Sequence, residues 1–164
     1  MKMTIVRDVI PPNRAHKGED AGLDFYTPRF KESFLSDMKE KNPGLTYNES
    51  NKTFVIEPGG RILIPSGVKV IVPDNHALVA FNKSGIASKL GLVIGACVVD
   101  VGYRGEIHIN LINTSNDPVI ISEDMKVVQF ILMPVNLIEP EFIHNEYYDN
   151  YISHRGDGAF GSTD

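Results

Sequence analysis

Glu106-Ile-His-Ile-Asn-Leu-Ile-Asn113 is the stretch on which the fold turns. Ile107, Ile109 and Leu111 share one face and His108 and Asn110 the other, the two-residue period of a strand with one face buried. Outward from it, short β-rich runs recur between turn residues. Phe54-Val-Ile-Glu57 ends at Pro58-Gly-Gly60, Arg61-Ile-Leu-Ile64 at Pro65-Ser-Gly67, and Val68-Lys-Val-Ile-Val72 at Pro73-Asp-Asn75. Residues 76–81, 93–99, 119–122 and 127–133 continue the series. Strands at this spacing, without long helices between them, predict an all-β sandwich or barrel. Ten prolines and fourteen glycines supply the turns such a fold needs.

Two segments break the pattern. Ser84-Gly-Ile-Ala-Ser-Lys-Leu90 predicts one short helix, with Gly91 as its C-terminal cap. Residues 30–51 carry Lys31, Glu32, Asp37, Lys39, Glu40 and Lys41 around Phe34, Leu35 and Met38. This segment reads as a solvated surface excursion of about two helical turns, stopped by Asn42-Pro-Gly44. A partner-binding element is the alternative reading.

With 164 residues, 42% of them hydrophobic, the chain suffices for one domain with its own core. A net charge of −5 argues against a broad nucleic-acid surface, so an anionic ligand must rely on a few local lysines and arginines. Cys97 is the single cysteine, which excludes an internal disulfide and suits a reducing compartment. The start Met1-Lys-Met-Thr-Ile-Val is not a signal pattern, and no apolar run reaches membrane-helix length. These features predict a cytoplasmic location, with no membrane and no direct nucleic-acid partner.

The chemistry-bearing residues sit at turns. Asp100-Val-Gly-Tyr-Arg-Gly105 places a carboxylate after the apolar run Cys97-Val-Val99. It is either a turn former or a group that orients and deprotonates water, with the Tyr103 ring beside it. Asp24, after Ala21-Gly-Leu, is a second carboxylate able to face a metal. Lys83-Ser-Gly85 opens the short helix, where Ser84 is either an ordinary N-cap or part of a phosphate site. Residues 154–164 read as a glycine-rich arm distinct from the domain over 1–153. Gly156, Gly158 and Gly161 match G-x-G-x-x-G, but no helix follows, so the dinucleotide fingerprint does not apply. Such a tail is either a disordered end or a segment that wraps its amides around phosphate, with Arg155 supplying charge and Phe160 a stacking face.

Taken in order, five stretches resemble the five motifs of trimeric dUTPases. They are Ala21-Gly-Leu-Asp24, Lys83-Ser-Gly-Ile-Ala87, Gly95-Ala-Cys-Val-Val-Asp100 with Tyr103-Arg-Gly105, Val127-Val-Gln129, and Arg155-Gly-Asp-Gly-Ala-Phe-Gly-Ser-Thr163. The departures from the usual motifs suit a divergent member such as one from a phage, which would act in its host's cytoplasm. The resemblance implies a jelly-roll-like β-barrel, a homotrimer with an exchanged C-terminal arm, and Mg²⁺-dependent hydrolysis of dUTP to dUMP and pyrophosphate. Such activity serves pyrimidine deoxynucleotide metabolism and keeps uracil out of DNA.

By the same resemblance Asp100 orients the attacking water, and Tyr103 packs on the sugar and excludes a 2′-OH. Backbone at Ala96, Cys97 and Val98 meets the uracil edge. Lys83, Ser84 and Gly85 bind phosphate, Gln129 lines the site, and Asp24 holds Mg²⁺ through water. Arg155, Phe160, Gly161, Ser162 and Thr163 close over the nucleotide. Four stretches depart from the family pattern: Lys83 stands for an arginine, Cys97 for a glycine, Asp124-Met-Lys126 for Gly-Asp-Arg, and Ala159 for a glycine. Cys97 either narrows the uracil pocket or points harmlessly into the barrel. A dCTP deaminase shares the fold but needs a catalytic Glu where this chain has Asn110. A regulatory, nucleotide-binding trimer acting through residues 30–51 is the third reading.

Overall fold

The computed structural model describes residues 1–154 and Gly156. In chain order the elements are β1 (Lys2–Ile5), β2 (Leu23–Tyr26), α1 (Glu32–Lys41), β3 (Thr46–Asn48), β4 (Thr53–Ile56), β5 (Arg61–Ile71), β6 (His76–Phe81), α2 (Ser84–Leu90), β7 (Leu92–Ile94), β8 (Val98–Val99), β9 (Glu106–Asn113), β10 (Val119–Ser122), β11 (Lys126–Pro134) and α3 (Asn145–Asp149). All strand pairs are antiparallel, in sheets of order β1-β5-β9-β7, β10-β4-β3 and β2-β11-β6-β8. The result is jelly-roll-like, and among the described residues the ladders do not close into one ring.

β9 behaves as its alternation predicts: Ile107, Ile109 and Leu111 are buried, while His108 and Asn110 lie half-buried on the opposite face. They meet Ile62, Ile64, Val68 and Val70 of β5, Leu92 of β7, and Phe25, Val128 and Phe130 of the facing sheet in one apolar core. Burial of a large aliphatic side chain contributes roughly 1.5–3 kcal/mol, so this set dominates the stability of the domain.

β5 differs from expectation at Pro65-Ser-Gly67, which bends the strand instead of ending it. The register with β9 shifts between Pro65 and Lys69, and Gly67 takes a positive φ of 75°. Proline is tolerated at such a bulge because no ladder hydrogen bond is asked of its nitrogen. Beyond the bulge, β5 pairs with β1 through Val68–Ile71.

Residues 30–51 correct the surface-excursion reading. Phe34 and Met38, four residues apart, share one face of α1; both are buried, as is Phe30 just before the helix. Phe30 stacks on Phe34 at 5.0 Å between ring centroids and meets Phe54 of β4 edge-on at 5.1 Å. β3 pairs with β4, and the Asn42 side chain exchanges two hydrogen bonds with the main chain of Leu63, at 2.7 and 2.9 Å. The charged residues that suggested a solvated loop are only the outer face of an amphipathic helix.

α2 forms as predicted, and Gly91 caps it with a φ of 65°. Its N-cap is Lys83, without a side-chain capping bond; Ser84 is the first helical residue, which corrects the Ser84 N-cap reading. Among the described residues no helix is long and apolar enough to cross a membrane.

Candidate active site

Two groups of candidate residues emerge, held by different edges of the β2-β11-β6-β8 sheet. The first lies where β2, β11 and β6 run side by side: Asp24 opposes Gln129, which opposes Phe81. Two residues past Phe81, Lys83 brings its Nζ onto Asp24 Oδ1, and Lys126 Nζ reaches Asp24 Oδ2 at 3.1 Å. Asp24 is buried, Lys83 about one-quarter exposed and Lys126 more open. The Asp24 hydrogen bond raises the pKa of Lys126 above the usual lysine value, with Tyr26 adding to the shift. One carboxylate between two ammonium groups leaves a net positive patch, suited to a polyanion.

Gln129 is fixed on both sides. Its Nε2 donates to Asn82 O at 2.9 Å, and its amide packs so closely on Gly22 that a Cβ there would come within 3.1 Å of Gln129 Cδ. Asn82 Oδ1 accepts from Ile94 N at 2.9 Å, tying the entry of α2 to β7. Ser84 and Gly85 are exposed, and a Cβ on Gly85 would meet nothing in the chain. Internal packing therefore does not require glycine at position 85, whereas close approach of a ligand would.

The second group surrounds β8, a terminal strand of its sheet. Ala80 N donates to Cys97 O at 2.7 Å, so the ladder turns the main-chain groups of Val98 away from β6, towards an edge unpaired among the described residues. Ala96, Cys97 and Val98 are exposed; Cys97 therefore does not point into the core. Asp100 follows at the strand end, exposed, and its carbonyl accepts from Tyr103 N at 3.1 Å to close a turn. Arg104 braces this turn by donating to the carbonyls of Val101 at 2.6 Å and Tyr103 at 3.0 Å. The Tyr103 ring folds over Gly105, where a Cβ would fall 2.6 Å from Tyr103 Cζ, and its hydroxyl donates to Glu106 O at 2.7 Å.

The two groups do not meet within one chain. Val99 opposes Leu78, near the start of β6, whereas Lys83 lies beyond its end. Five residues of extended chain separate the two positions, roughly 17 Å at about 3.3 Å per residue. Arg155, Phe160, Gly161, Ser162 and Thr163 lie outside the described residues. Sequence reasoning missed the contribution of Lys126 to the Asp24 cluster and the bonds of the Glu106 carboxylate to Arg7 and Gly67. Both depend on pairings between distant segments, although Lys126 carried a signal as a basic residue three positions before Gln129.

Comparison with known proteins identifies the family of this chain. The dUTPase family model matches residues 48–164. A deoxyuridine 5'-triphosphate nucleotidohydrolase of Mycolicibacterium vanbaalenii is 32% identical over 163 residues, covering 96% of this chain and 89% of the relative. One from Leifsonia xyli is 37% identical over 111 residues, covering 66% and 70%. Among solved structures, the Staphylococcus bacteriophage 80alpha dUTPase with dUPNHPP superposes with a TM-score of 0.72 at 20% identity, covering 99% of this chain and 97% of that one. The native EIAV dUTPase gives 0.64 at 22% identity, covering 92% and 98%. The structural likenesses establish the shared fold, and the family model and sequence relatives establish descent: this chain belongs to the dUTPase family.

Proposed function

We propose that this protein hydrolyses dUTP to dUMP and pyrophosphate, in a homotrimer whose active sites lie between subunits. The observation that carries the reading is the unpaired edge of β8 ending in Asp100 and Tyr103. An extended main-chain edge offers a pyrimidine its amide and carbonyl groups, as a sheet edge offers them to an added strand. At its end stand a carboxylate for water and a ring for the sugar. The phage 80alpha relative binds a dUTP analogue, and the sequence relatives are named for dUTP hydrolysis.

In this reading Val98, with Ala96 and Cys97, holds the uracil edge. Tyr103 packs on the deoxyribose and leaves no room for a 2′-OH. Asp100 accepts a proton from the water that attacks the α-phosphorus, and the leaving pyrophosphate takes up the developing charge. Lys83 and Lys126 with Ser84 and Gly85 of another subunit face the phosphates, while Gln129 is locked in place beside them. Positioning and charge compensation in a closed site account for the rate without a covalent nucleophile.

Among the described residues no three His, Cys, Asp or Glu side chains gather into a metal cage. Mg²⁺ commonly takes one or two carboxylates and leaves its remaining positions to phosphates and water; both Asp24 oxygens are held by Lys83 and Lys126, so Asp24 meets that requirement only where a lysine turns from it to the phosphates. When bound with substrate, Mg²⁺ would offset triphosphate charge, with Asp24 holding it through water. A dUTPase mutant from phage phi11 coordinates a structural Mg(II) ion. Arg155, Phe160, Gly161, Ser162 and Thr163 are proposed to close over the bound nucleotide. Removing residues 154–164 should leave assembly intact and cripple turnover.

The test is pyrophosphate release from dUTP, dCTP, dTTP and UTP, with and without Mg²⁺, by wild type and Asp100→Asn. Release from dUTP alone, abolished by chelation and reduced about a thousandfold or more in the variant, is expected. Near-normal turnover in Asp100→Asn, or no release from any substrate, would overturn the assignment.

A further inference from the structure

We propose that Glu106 is a positioning residue for Tyr103, held in place by Arg7, and that Asp37 of α1 joins the 30–51 segment to this arrangement. The inference rests on the reading above, in which Tyr103 packs against the deoxyribose.

Tyr103 is exposed, and its hydroxyl is anchored at one atom, the main-chain oxygen of Glu106. The same oxygen accepts from His108 Nδ1 at 2.9 Å, so that nitrogen carries the proton. Glu106 is the first residue of β9, a position where strands fray unless tied down. Here the tie is its carboxylate. Oε1 accepts from Gly67 N at 2.7 Å and from Arg7 Nε at 2.7 Å, and Oε2 accepts from Arg7 Nη2 at 2.9 Å. This is the two-pronged guanidinium–carboxylate pairing that fixes orientation as well as charge.

The pair is shielded: the side chains of Arg7 and Glu106 are 17% and 13% exposed. Such a pair is screened less than a surface ion pair. The bond to Glu106 raises the Arg7 pKa, with further contributions from Asp37. The bulge in β5 makes the arrangement possible. The positive φ of Gly67 turns its amide onto Glu106, and its missing side chain lets Arg7 pass, since a Cβ would lie 3.1 Å from Arg7 Cβ. Val6 N donates to Gly67 O at 2.8 Å and holds the incoming segment. Arg7 Nη2 also bonds Asp37 Oδ2, on the helix that Phe34 and Met38 anchor in the core.

A continuous chain of contacts therefore runs from α1 through Asp37, Arg7 and Glu106 to the Tyr103 ring. Without the Arg7 fork, Glu106 keeps one carboxylate hydrogen bond, and the carbonyl that anchors Tyr103 moves with it. A displacement near 1 Å at a reacting group costs up to about a hundredfold. Here the displaced group is the one that reads the sugar, so the loss falls on selectivity.

The experiment measures kcat/KM for dUTP and UTP, together with assembly and thermal midpoint. It uses full-length Arg7→Ala, Arg7→Lys, Asp37→Asn and Tyr103→Ala, with Arg7→Ala repeated in Tyr103→Phe. Arg7→Ala should lower the dUTP-to-UTP ratio by about tenfold, Arg7→Lys should recover part of it, and Asp37→Asn should lower it by a smaller factor. In Tyr103→Phe, which lacks the anchored hydroxyl, Arg7→Ala should add little. An equal fall for both substrates, or the same factor with and without the hydroxyl, would overturn the proposal and mark Arg7 as a stabilising residue only. If Tyr103→Ala lowers the ratio and neither Arg7→Ala nor Asp37→Asn does, this proposal alone fails. If Tyr103→Ala leaves the ratio unchanged, the sugar-reading role fails and this proposal falls with it. Should Arg7→Ala not fold, Asp37→Asn at a more exposed position decides by the same measure.

Discussion

Single residues at this site are explained by what stands next to them. Gly22 is a glycine because Gln129 occupies the space of its side chain, and Gly105 because Tyr103 does. Asp124 stands where the family pattern has glycine, and its φ of 56° shows why that position favours one; aspartate is among the few side chains that tolerate the left-handed region. The two lysines that replace family arginines, Lys83 and Lys126, converge on the same Asp24 carboxylate. A compact ammonium reaches that carboxylate without needing a planar fork. Gly22→Ala should push Gln129 off Asn82 and lower kcat/KM for dUTP by about ten- to a hundredfold, leaving the dUTP-to-UTP ratio near wild type. Steady-state kinetics on both substrates check it, and a ratio that collapses as well would mean that Gln129 reads the sugar. The sequence made Asp24, Lys83 and Gln129 visible as candidates because each sits in a short recognisable stretch. Glu106 was invisible, since its partner Arg7 is 99 positions away and nothing local marks the pair.

At the level of elements, alternation was a better guide than punctuation. β9 falls on the stretch where apolar and polar residues alternate, β6 and β10 match the apolar runs 76–81 and 119–122, and Gly91 ends α2 as its conformational freedom suggests. Pro65-Ser-Gly67 misled because turn residues also make bulges, and only the neighbouring strand distinguishes them. Charge misled at residues 31–41, where the apolar face of α1 recurs every fourth residue beneath a charged surface. Phe34→Ala should therefore destabilise the domain by about 3–5 kcal/mol, measured by denaturant unfolding. A loss under about 1 kcal/mol would show that α1 is not part of the cooperative core. Tyr47 packs against Phe54 in the same layer, and burial is the first cause of its raised pKa. The unfolded chain then ionises first as pH climbs past the ordinary tyrosine value of 10.0, so stability present below that pH is lost above it. Tyr47→Phe should flatten the alkaline limb of the stability profile, and an unchanged limb would assign it to other groups.

The whole molecule poses a problem that one chain cannot solve. Asp100 and Lys83 lie near opposite ends of β6, and in the proposed site a triphosphate nucleotide touches both. The chain also leaves Leu137, Ile138, Phe142, Tyr147, Tyr148, Tyr151 and Ile152 exposed, with Phe142 at 94% and Ile152 at 92%. Seven exposed large apolar and aromatic side chains within sixteen residues mark this segment as one that calls for a partner surface. The proposed homotrimer would answer both, with the β8 edge of one subunit facing the lysines of the next and the segment after β11 laid across a neighbour. This arrangement makes a quantitative prediction. Asp100→Asn and Lys83→Ala chains, each impaired alone, are co-refolded in equal amounts. If each site takes position 100 from one subunit and position 83 from another, both are intact in about a quarter of the sites of a randomly mixed trimer, since each has an even chance of being wild type. Activity should rise to about one-quarter of wild type on mixing, and fall again as either chain is put in excess. If both positions serve the same site from the same chain, no intact site can form, and the mixture stays at the average of the two parents.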